Sequence, residues 1–309
     1  MRTRRGRLTP GEMFPAGRAG FAVRWLTLPS GLRVRAVECE PAASEEPAPV
    51  AVFVHGWACS AYTWHRNLRA VADAGIRAIA VDLKGHGLSD KPLDLPGYTL
   101  PAMGAHLLDI LDALGLDEAV LVGHSMGGAI ALRLAIDAPE RVLGLVLLAP
   151  VGFGAIGWMR VVPWVTPAPV DPLLPHVAFR WTVRLGLWRA YGRIGHPTER
   201  DVDEYWAPSQ DPAFARAMRR LAHAFDWTSG RPEELARVRC PVTVIFGERD
   251  HLVRPVACEP IVRHLADVHV QTVPRAGHTL PEEVPDVVNA AIIDATRRWA
   301  SLPSRPAMT

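Results

Sequence analysis

Cysteine is scarce in this sequence, and the few cysteines do not form a recognisable site. The 309 residues include four cysteines, and none lies in a C-x-x-C pair or has a histidine at a zinc-site interval. They are Cys39, Cys59, Cys240 and Cys258. This arrangement indicates neither a zinc site nor a redox-active pair. Reduced thiols are typical of the cytoplasm, where we expect the protein to reside.

The sequence also lacks an excess of charge of either sign. Its 34 basic and 32 acidic residues give a formal net charge of +2, and every basic residue except Lys84 and Lys91 is arginine. Such a balance produces no strong field to concentrate nucleic acid or anionic lipid. We therefore expect no nucleic-acid partner, and nothing in the composition indicates an oligomeric state.

Long apolar runs are missing as well. No stretch of about 18 apolar residues is free of charge and proline, so stable membrane insertion is not expected. After the basic residues near the N-terminus, Pro10, Glu12 and Pro15 interrupt the position where an export signal would need an apolar stretch. We predict a flexible N-terminal arm over residues 1–20.

What the sequence does contain is an alternation of strand and helix signals. Residues 23–28 and 32–39 flank the turn Pro29-Ser30-Gly31 and predict a hairpin. Beyond it, short runs that are apolar on both faces suit parallel strands covered by helices on each side. These strands are predicted at 50–54, 76–81, 119–122, 142–148, 242–246 and 268–273, and the helices at 61–74, 100–114, 126–138, 256–265 and 281–299. The pattern predicts an α/β fold with a doubly wound, mostly parallel sheet.

One long segment interrupts this alternation. Residues 151–238 are rich in proline and contain six of the ten tryptophans, at positions 158, 164, 181, 188, 206 and 227. We interpret the segment as a mainly helical insertion between two strands, with one helix over residues 173–191. The predicted domains are a core of residues 21–150 and 239–302 and an insertion of residues 151–238.

The sharpest chemical signal is a Gly-x-Ser-x-Gly motif between a predicted strand and a predicted helix. It runs from Gly123 through Ser125 to Gly127. This context predicts a strained turn that raises the serine hydroxyl above the sheet, where a side chain at either glycine would collide with backbone. The Met126 N–H, at the positive end of the helix, is expected to stabilise an oxyanion.

A serine nucleophile needs a base and an acid, and the downstream strand ends supply both. His278 follows the last predicted strand, and Asp250 follows the strand before it. Both loops are expected at the carboxyl edge of the sheet, beside Ser125. Glu248 is a nearby rival for the acid, but Asp250 is better positioned. We predict a triad of Ser125, Asp250 and His278.

The chain resembles the α/β-hydrolase family over nearly all of residues 23–299. The resemblance rests on His55-Gly56-Trp57, on the segment 82–90, on the serine turn, on residues 247–250 and on Gly277-His278. It implies that the main-chain N–H groups of Trp57 and Met126 form the oxyanion hole. It also implies that residues 151–238 form a cap.

The chemistry that needs no further parts is ester hydrolysis without a cofactor. Ser125 would attack the carbonyl, and His278 would protonate the departing alcohol and then activate water. Epoxide hydrolases and haloalkane dehalogenases resemble this chain but carry Asp at the Ser125 position. Epoxide hydrolases keep ring-opening tyrosines in the cap, where this chain has Tyr191 and Tyr205. Without an Asp nucleophile, we interpret these two residues as part of the core or of the pocket wall. Carbon–carbon bond hydrolases and perhydrolases use a serine triad and stay open as alternatives. A small-molecule receptor that retains the triad is another.

The aromatic character of the insertion predicts a hydrophobic substrate. We expect a small to medium ester, contacted by Trp57, Phe153, Trp158, Trp181 and Trp188. An insertion also needs a core of its own, and the aromatic residues serve that alternative equally well.

Overall fold

An eight-stranded sheet organises the chain in a computed structural model of the protein. The structure describes residues 8–42, 48–152, 161–170, 173, 179–227 and 232–300. The strands are Ala22–Thr27 (β1), Arg33–Cys39 (β2), Val50–Val54 (β3), Arg77–Val81 (β4), Ala119–His124 (β5), Val142–Leu148 (β6), Val242–Gly247 (β7) and Val268–Val273 (β8). Their order in the sheet is β1-β2-β4-β3-β5-β6-β7-β8. The first hairpin joins the sheet antiparallel to β4, and all later pairs are parallel.

Helices cover both faces of this sheet. They are Leu68–Asp73 (α1), Leu100–Leu114 (α2), Met126–Asp137 (α3), Val162–Val165 (α4), Arg180–Ala190 (α5), Glu199–Trp206 (α6), Pro212–Ala224 (α7), Glu259–His264 (α8), Leu280–Glu283 (α9) and Pro285–Ala300 (α10). Alternate residues of a strand point to opposite faces, so Val52 and Leu121 join one apolar cluster and Phe53 and Val122 join the other. The predicted doubly wound α/β sheet is confirmed.

The strand order brings five loops to one edge. β3, β5, β6 and β7 are adjacent in the sheet and end at neighbouring registers, for example Val54 beside Gly123 and Leu148 beside Ile245. β8 lies at the edge of the sheet, where most of its side chains are at least partly exposed. The residues that follow these five strands therefore meet above the carboxyl edge.

The N-terminal segment corrects the prediction of a flexible arm through residue 20. Met13 and Phe14 are buried. The Phe14 N–H donates to Glu204 Oε1 at 2.9 Å, and Arg35 Nη1 donates to the Phe14 carbonyl at 3.1 Å. Phe14 is therefore fixed on the fold by its buried ring and by hydrogen bonds at both of its backbone groups. The basic residues that precede it in the sequence favoured the prediction of a flexible arm. Residues 1–7 lie outside the described part.

Helices α4 to α7 lie between β6 and β7, in the segment interpreted as an insertion. The helix predicted over residues 173–191 is described from Arg180 to Ala190, and residues 174–178 lie outside the described part. Thr198 begins α6 with a capping box, accepting from the Asp201 N–H while the Asp201 carboxylate accepts from Thr198. Among the described residues, no helix combines the length and the apolar composition that crossing a bilayer requires.

The packing of α10 on the sheet is tested by Gly144→Ala. An added Cβ at Gly144 would lie 1.9 Å from Cε3 of the buried Trp299 indole, so alanine must displace that ring. We expect a loss of about 1–3 kcal/mol in the free energy of unfolding, measured by denaturant titration.

Gly186→Ala is the matched control for this substitution. Gly186 lies inside α5, and an added Cβ there meets no atom within 4 Å. Better helix propensity should raise the free energy of unfolding by about 0.5–1 kcal/mol. Two stabilising substitutions, or two equally destabilising ones, would contradict the packing described for Trp299.

Candidate active site

Ser125 occupies a turn in which only glycine fits at positions 123 and 127, two residues before and two residues after the serine. Its φ of 54° and ψ of −118° are unusual for a residue with a side chain. An added Cβ at Gly127 would lie 2.1 Å from the Val54 carbonyl oxygen, and one at Gly123 would lie 2.6 Å from the Gly127 carbonyl oxygen. The turn thus lies directly against the end of β3. A side chain at either glycine would collide with backbone, as the motif predicts.

His278 and Asp250 form a buried, directly bonded pair. His278 Nδ1 lies 2.7 Å from Asp250 Oδ2. The other carboxylate oxygen, Oδ1, accepts from the N–H groups of Leu252 and Val253, each at 2.8 Å. Burial by itself would raise the pKa of Asp250, but the His278 ring and the two N–H groups hold it below its usual range. Asp250 therefore stays ionised and keeps the proton of the imidazole on Nδ1.

The rival carboxylate, Glu248, lies elsewhere. It is exposed and accepts a hydrogen bond from the Arg275 N–H at 2.9 Å. Its bond fixes the loop after β8 from the outside, and the carboxylate that contacts the His278 ring is that of Asp250.

His124 connects the serine turn to the His278 loop. Its Nε2 lies 2.8 Å from the His278 carbonyl oxygen, and the two ring centroids are 4.8 Å apart. Burial, and then the His278 ring, lower the pKa of His124 to about 3, so the ring is neutral and Nε2 carries the donated proton. His124 therefore holds the loop of His278 beside Ser125.

Ser125 and His278 line the same cavity. Among the described residues, no hydrogen bond joins the serine hydroxyl to the imidazole. In unliganded sites this contact is often long and tightens in the complex with substrate. With Nδ1 bonded to Asp250, Nε2 is the ring nitrogen left to accept a proton.

The loop after β3 and the start of α3 meet at the serine. Ser125 Cβ lies 3.2 Å from the position of an added Cβ on Gly56, and Trp57 follows in the cavity lining. Met126 is the first residue of α3, directly after Ser125. The first N–H groups of a helix have no acceptor within the helix, and its dipole favours negative charge there.

The cavity above these residues has a volume of about 440 Å³. Its floor comes from the strand ends, and its opposite wall comes from α5, α6, α7 and the segment that follows α7. Trp57 faces it and donates from Nε1 to the Met218 carbonyl at 3.4 Å. Most of the lining is apolar, as expected for a small-molecule site.

Two predicted substrate contacts are wrong. Trp181 and Trp188 are 63% and 45% exposed and do not belong to the cavity lining. Trp188 stacks instead on His196, with the ring centroids 4.5 Å apart. The reason is that α5 turns Gly186, Leu187 and Ala190 to the cavity and its indoles away from it. Phe153 and Trp158 lie outside the described residues.

Comparison with known proteins identifies the family. A family model described as "alpha/beta hydrolase fold" matches residues 49–285. The chain belongs to the α/β-hydrolase family. It is similar to the AB hydrolase superfamily protein YfhM of Bacillus subtilis (strain 168), at 26% identity over 82% of this chain and 92% of that protein. It is also similar to epoxide hydrolase 4 of Mus musculus, at 28% identity over 88% of this chain and 77% of that protein.

A solved structure shows the same fold. The crystal structure of a His-tagged serine hydrolase involved in carbazole degradation, the CarC enzyme, superposes with a TM-score of 0.72 at 22% identity. The match covers 92% of this chain and 100% of that one. Among the described residues of this hydrolase, no group of three or more His, Cys, Asp or Glu side chains is arranged to hold a metal ion.

The cavity lining of this hydrolase also contains a buried carboxyl that no pattern in the sequence indicates. Glu282, only 1% exposed, accepts from the Tyr191 hydroxyl at 2.8 Å and also from the Tyr205 hydroxyl. Burial is the main reason that the pKa of Glu282 rises to about 7; the nearby Asp201 adds to the rise, and both tyrosines oppose it. The sequence predicts the two tyrosines only as core or pocket-wall residues, and nothing around Glu282 marks it as their partner.

The raised pKa makes the stability of the hydrolase depend on pH. The folded chain keeps this proton up to about pH 7, whereas an ordinary glutamate releases it near 4.5. The carboxyl therefore destabilises the fold increasingly as the pH rises through this interval. Between pH 4.5 and 8, the wild type should lose about 3 kcal/mol relative to Glu282→Gln, measured by denaturant unfolding.

Glu118→Gln provides the control, because Glu118 is an exposed glutamate before β5. It removes the same charge without removing a buried group and should follow the wild type. A Glu282→Gln variant whose stability tracks the wild type across this range would show that the carboxyl is not held protonated by burial.

Proposed function

We propose that this hydrolase cleaves carboxylic esters of small to medium hydrophobic substrates through an acyl-enzyme on Ser125. The observation that carries the proposal is the 2.7 Å bond between His278 Nδ1 and Asp250, in a cavity that Ser125 also lines. A base oriented by a buried carboxylate beside a serine on a strained turn is the arrangement that nucleophilic catalysis requires. In this proposal the segment 151–238 acts as a cap over the site.

The steps follow from the proton positions. Ser125 Oγ attacks the ester carbonyl while His278 Nε2 takes its proton, and the imidazolium gives that proton to the departing alcohol. Water then enters, loses a proton to Nε2 and attacks the acyl-enzyme. The acid leaves, and the proton returns to Ser125. Asp250 balances the imidazolium charge in both halves and stays ionised because its pKa is held low.

The main-chain N–H groups of Trp57 and Met126 are proposed to bind the oxyanion. Met126 begins α3, where the helix dipole adds a favourable field. The loop before Trp57 packs against Ser125. Two donors fixed by backbone sterics need little reorganisation when negative charge develops on the carbonyl oxygen.

The residue at position 125 favours ester cleavage over epoxide opening, although one relative is called epoxide hydrolase 4. Family members with that activity carry Asp at this position, and attack by Asp on an epoxide gives an ester that water can hydrolyse. Attack by Ser125 would instead leave an ether, which an imidazole-activated water does not cleave. Serine matches substrates whose covalent intermediate is itself an acyl ester.

The nucleophile is tested by Ser125→Ala. Loss of Oγ removes the acyl acceptor and should lower hydrolysis of 4-nitrophenyl esters by at least about 10³-fold. Circular dichroism and the unfolding midpoint should match those of the wild type. Undiminished turnover in a pure sample of this variant would defeat the assignment. Repeated turnovers per wild-type chain would exclude a receptor that merely keeps a reactive serine.

Asp250→Asn tests the acid of the proposed triad. Asparagine presents either a donor or a neutral acceptor to Nδ1 and no longer stabilises the imidazolium, so kcat for ester hydrolysis should fall by roughly 10³- to 10⁴-fold. Glu248→Gln is the matched control, two residues earlier on the same loop and bonded to Arg275 instead. It should stay within a few-fold of the wild type. Equal losses in the two variants would point to a loop defect rather than to catalysis.

A further inference from the structure

One wall of the cavity is polar, and catalysis does not use it. It consists of Thr63, Tyr205 and Glu282, all of which line the cavity, and we refer to it as the polar wall. Thr63 Oγ1 lies 3.2 Å from the Tyr205 hydroxyl oxygen, and the Tyr205 hydroxyl donates to Glu282. Behind the wall, Tyr191 donates to the second oxygen of the same carboxyl. The remaining lining is mostly apolar, so this patch is chemically distinct.

The hydrogen bonds of the polar wall all run towards the carboxylate. A phenol has one proton, and that of Tyr205 goes to Glu282. The contact between Thr63 and Tyr205 therefore needs the proton of Thr63. The thiol of the adjacent Cys59 donates to the Trp57 carbonyl at 3.4 Å. When Glu282 is ionised, above about pH 7, the wall presents oxygen lone pairs to the cavity and no proton.

The carboxylate of the polar wall also lacks a directly bonded cation among the described contacts. Arg66 Nη1 donates to the Glu282 main-chain carbonyl at 2.9 Å, not to its carboxylate. The nearby Asp201 adds negative charge. The guanidinium that lines the cavity belongs to Arg189, an exposed residue. The negative charge of a buried carboxylate that is bonded only to neutral phenols is poorly compensated. A hydrogen-bond donor that enters the cavity would stabilise this charge.

From these contacts we propose that the polar wall binds a hydrogen-bond donor on the substrate, a hydroxyl or an ammonium group. This inference rests on the proposed function, because it specifies the substrate as an ester whose hydrophobic chain carries such a donor. A chain ending in a carboxylate would meet only acceptors and like charge at this wall and is excluded from it. Glu282 ties the helices between β6 and β7 to the core through Tyr191 and Tyr205, and it also belongs to the cavity lining.

The proposal is tested by binding, without turnover. Hexylamine, 1-hexanol and sodium hexanoate share one chain and differ in the end group. Their affinities for Ser125→Ala protein are measured by calorimetry at pH 8, where a pKa of about 7 leaves Glu282 mostly ionised. We expect hexylamine and 1-hexanol to bind at least about tenfold more tightly than hexanoate. Tighter binding of hexanoate would overturn the proposal and direct attention to Arg189.

Variants locate the bound group. Glu282→Gln should weaken hexylamine binding by at least about tenfold, and Glu118→Gln should leave it unchanged. Thr63→Val removes one acceptor oxygen without altering the carboxyl, so it addresses the wall even if Glu282→Gln unfolds. It should weaken binding of 1-hexanol by several-fold. Unchanged affinities in both wall variants would refute the polar wall as a binding site.

The outcome is separable from that of the proposed function. If the donor probes bind as expected but no ester is hydrolysed by the wild type, the wall stands and the esterase proposal fails. If simple esters are hydrolysed but the probes show no preference for a donor, the reverse holds. For an active enzyme, kcat/KM should be higher for 4-nitrophenyl 6-hydroxyhexanoate than for 4-nitrophenyl hexanoate.

Discussion

The close packing of the Ser125 turn against the end of β3 is the constraint on which the rest of the site depends. Gly127 sits so close to the end of β3 that an added Cβ would lie 2.1 Å from the Val54 carbonyl oxygen. This contact fixes Ser125, the start of α3 and the loop that carries Trp57 relative to one another. The unfavourable φ of Ser125 persists because the buried strands on both sides leave the turn no alternative.

A second contact couples His278 to the helices between β6 and β7. The His278 N–H donates to the Ala190 carbonyl at 2.7 Å, at the end of α5. Nearby, Gly192 and Gly277 approach so closely that an added Cβ on Gly277 would lie 2.3 Å from the Gly192 nitrogen. The position of the imidazole therefore depends on the helices above it as well as on β8 below. Movement of α5 would therefore shift His278 and reshape the cavity together.

Much of this arrangement could be predicted because it follows from order along the chain. Strand positions are marked by apolar runs, and the loops after parallel strands must share one edge, which brought Ser125, Asp250 and His278 together in the prediction. Order along the chain does not predict which face of a helix lines the cavity. In α5 the side chains of Trp181 and Trp188 point outward, and Gly186, Leu187 and Ala190 line the cavity instead, so the aromatic positions predicted the wrong face. Contacts such as that of Phe14 with Glu204, 190 residues away, leave no local pattern.

Two adjacent glutamates show how one short helix serves two purposes. Glu283 accepts from the N–H groups of Gly192 and Gly277 at 2.9–3.1 Å, so backbone donors saturate its carboxylate and it fastens the loop of His278. Glu282 points the other way, meets only phenols and lines the cavity. Because α9 begins two residues after His278, this one short helix both holds the loop of His278 and contributes Glu282 to the polar wall. Under the proposed function, that helix sets the distance between the ester carbonyl and a donor on the substrate, so the cavity selects substrates by length as well as by volume.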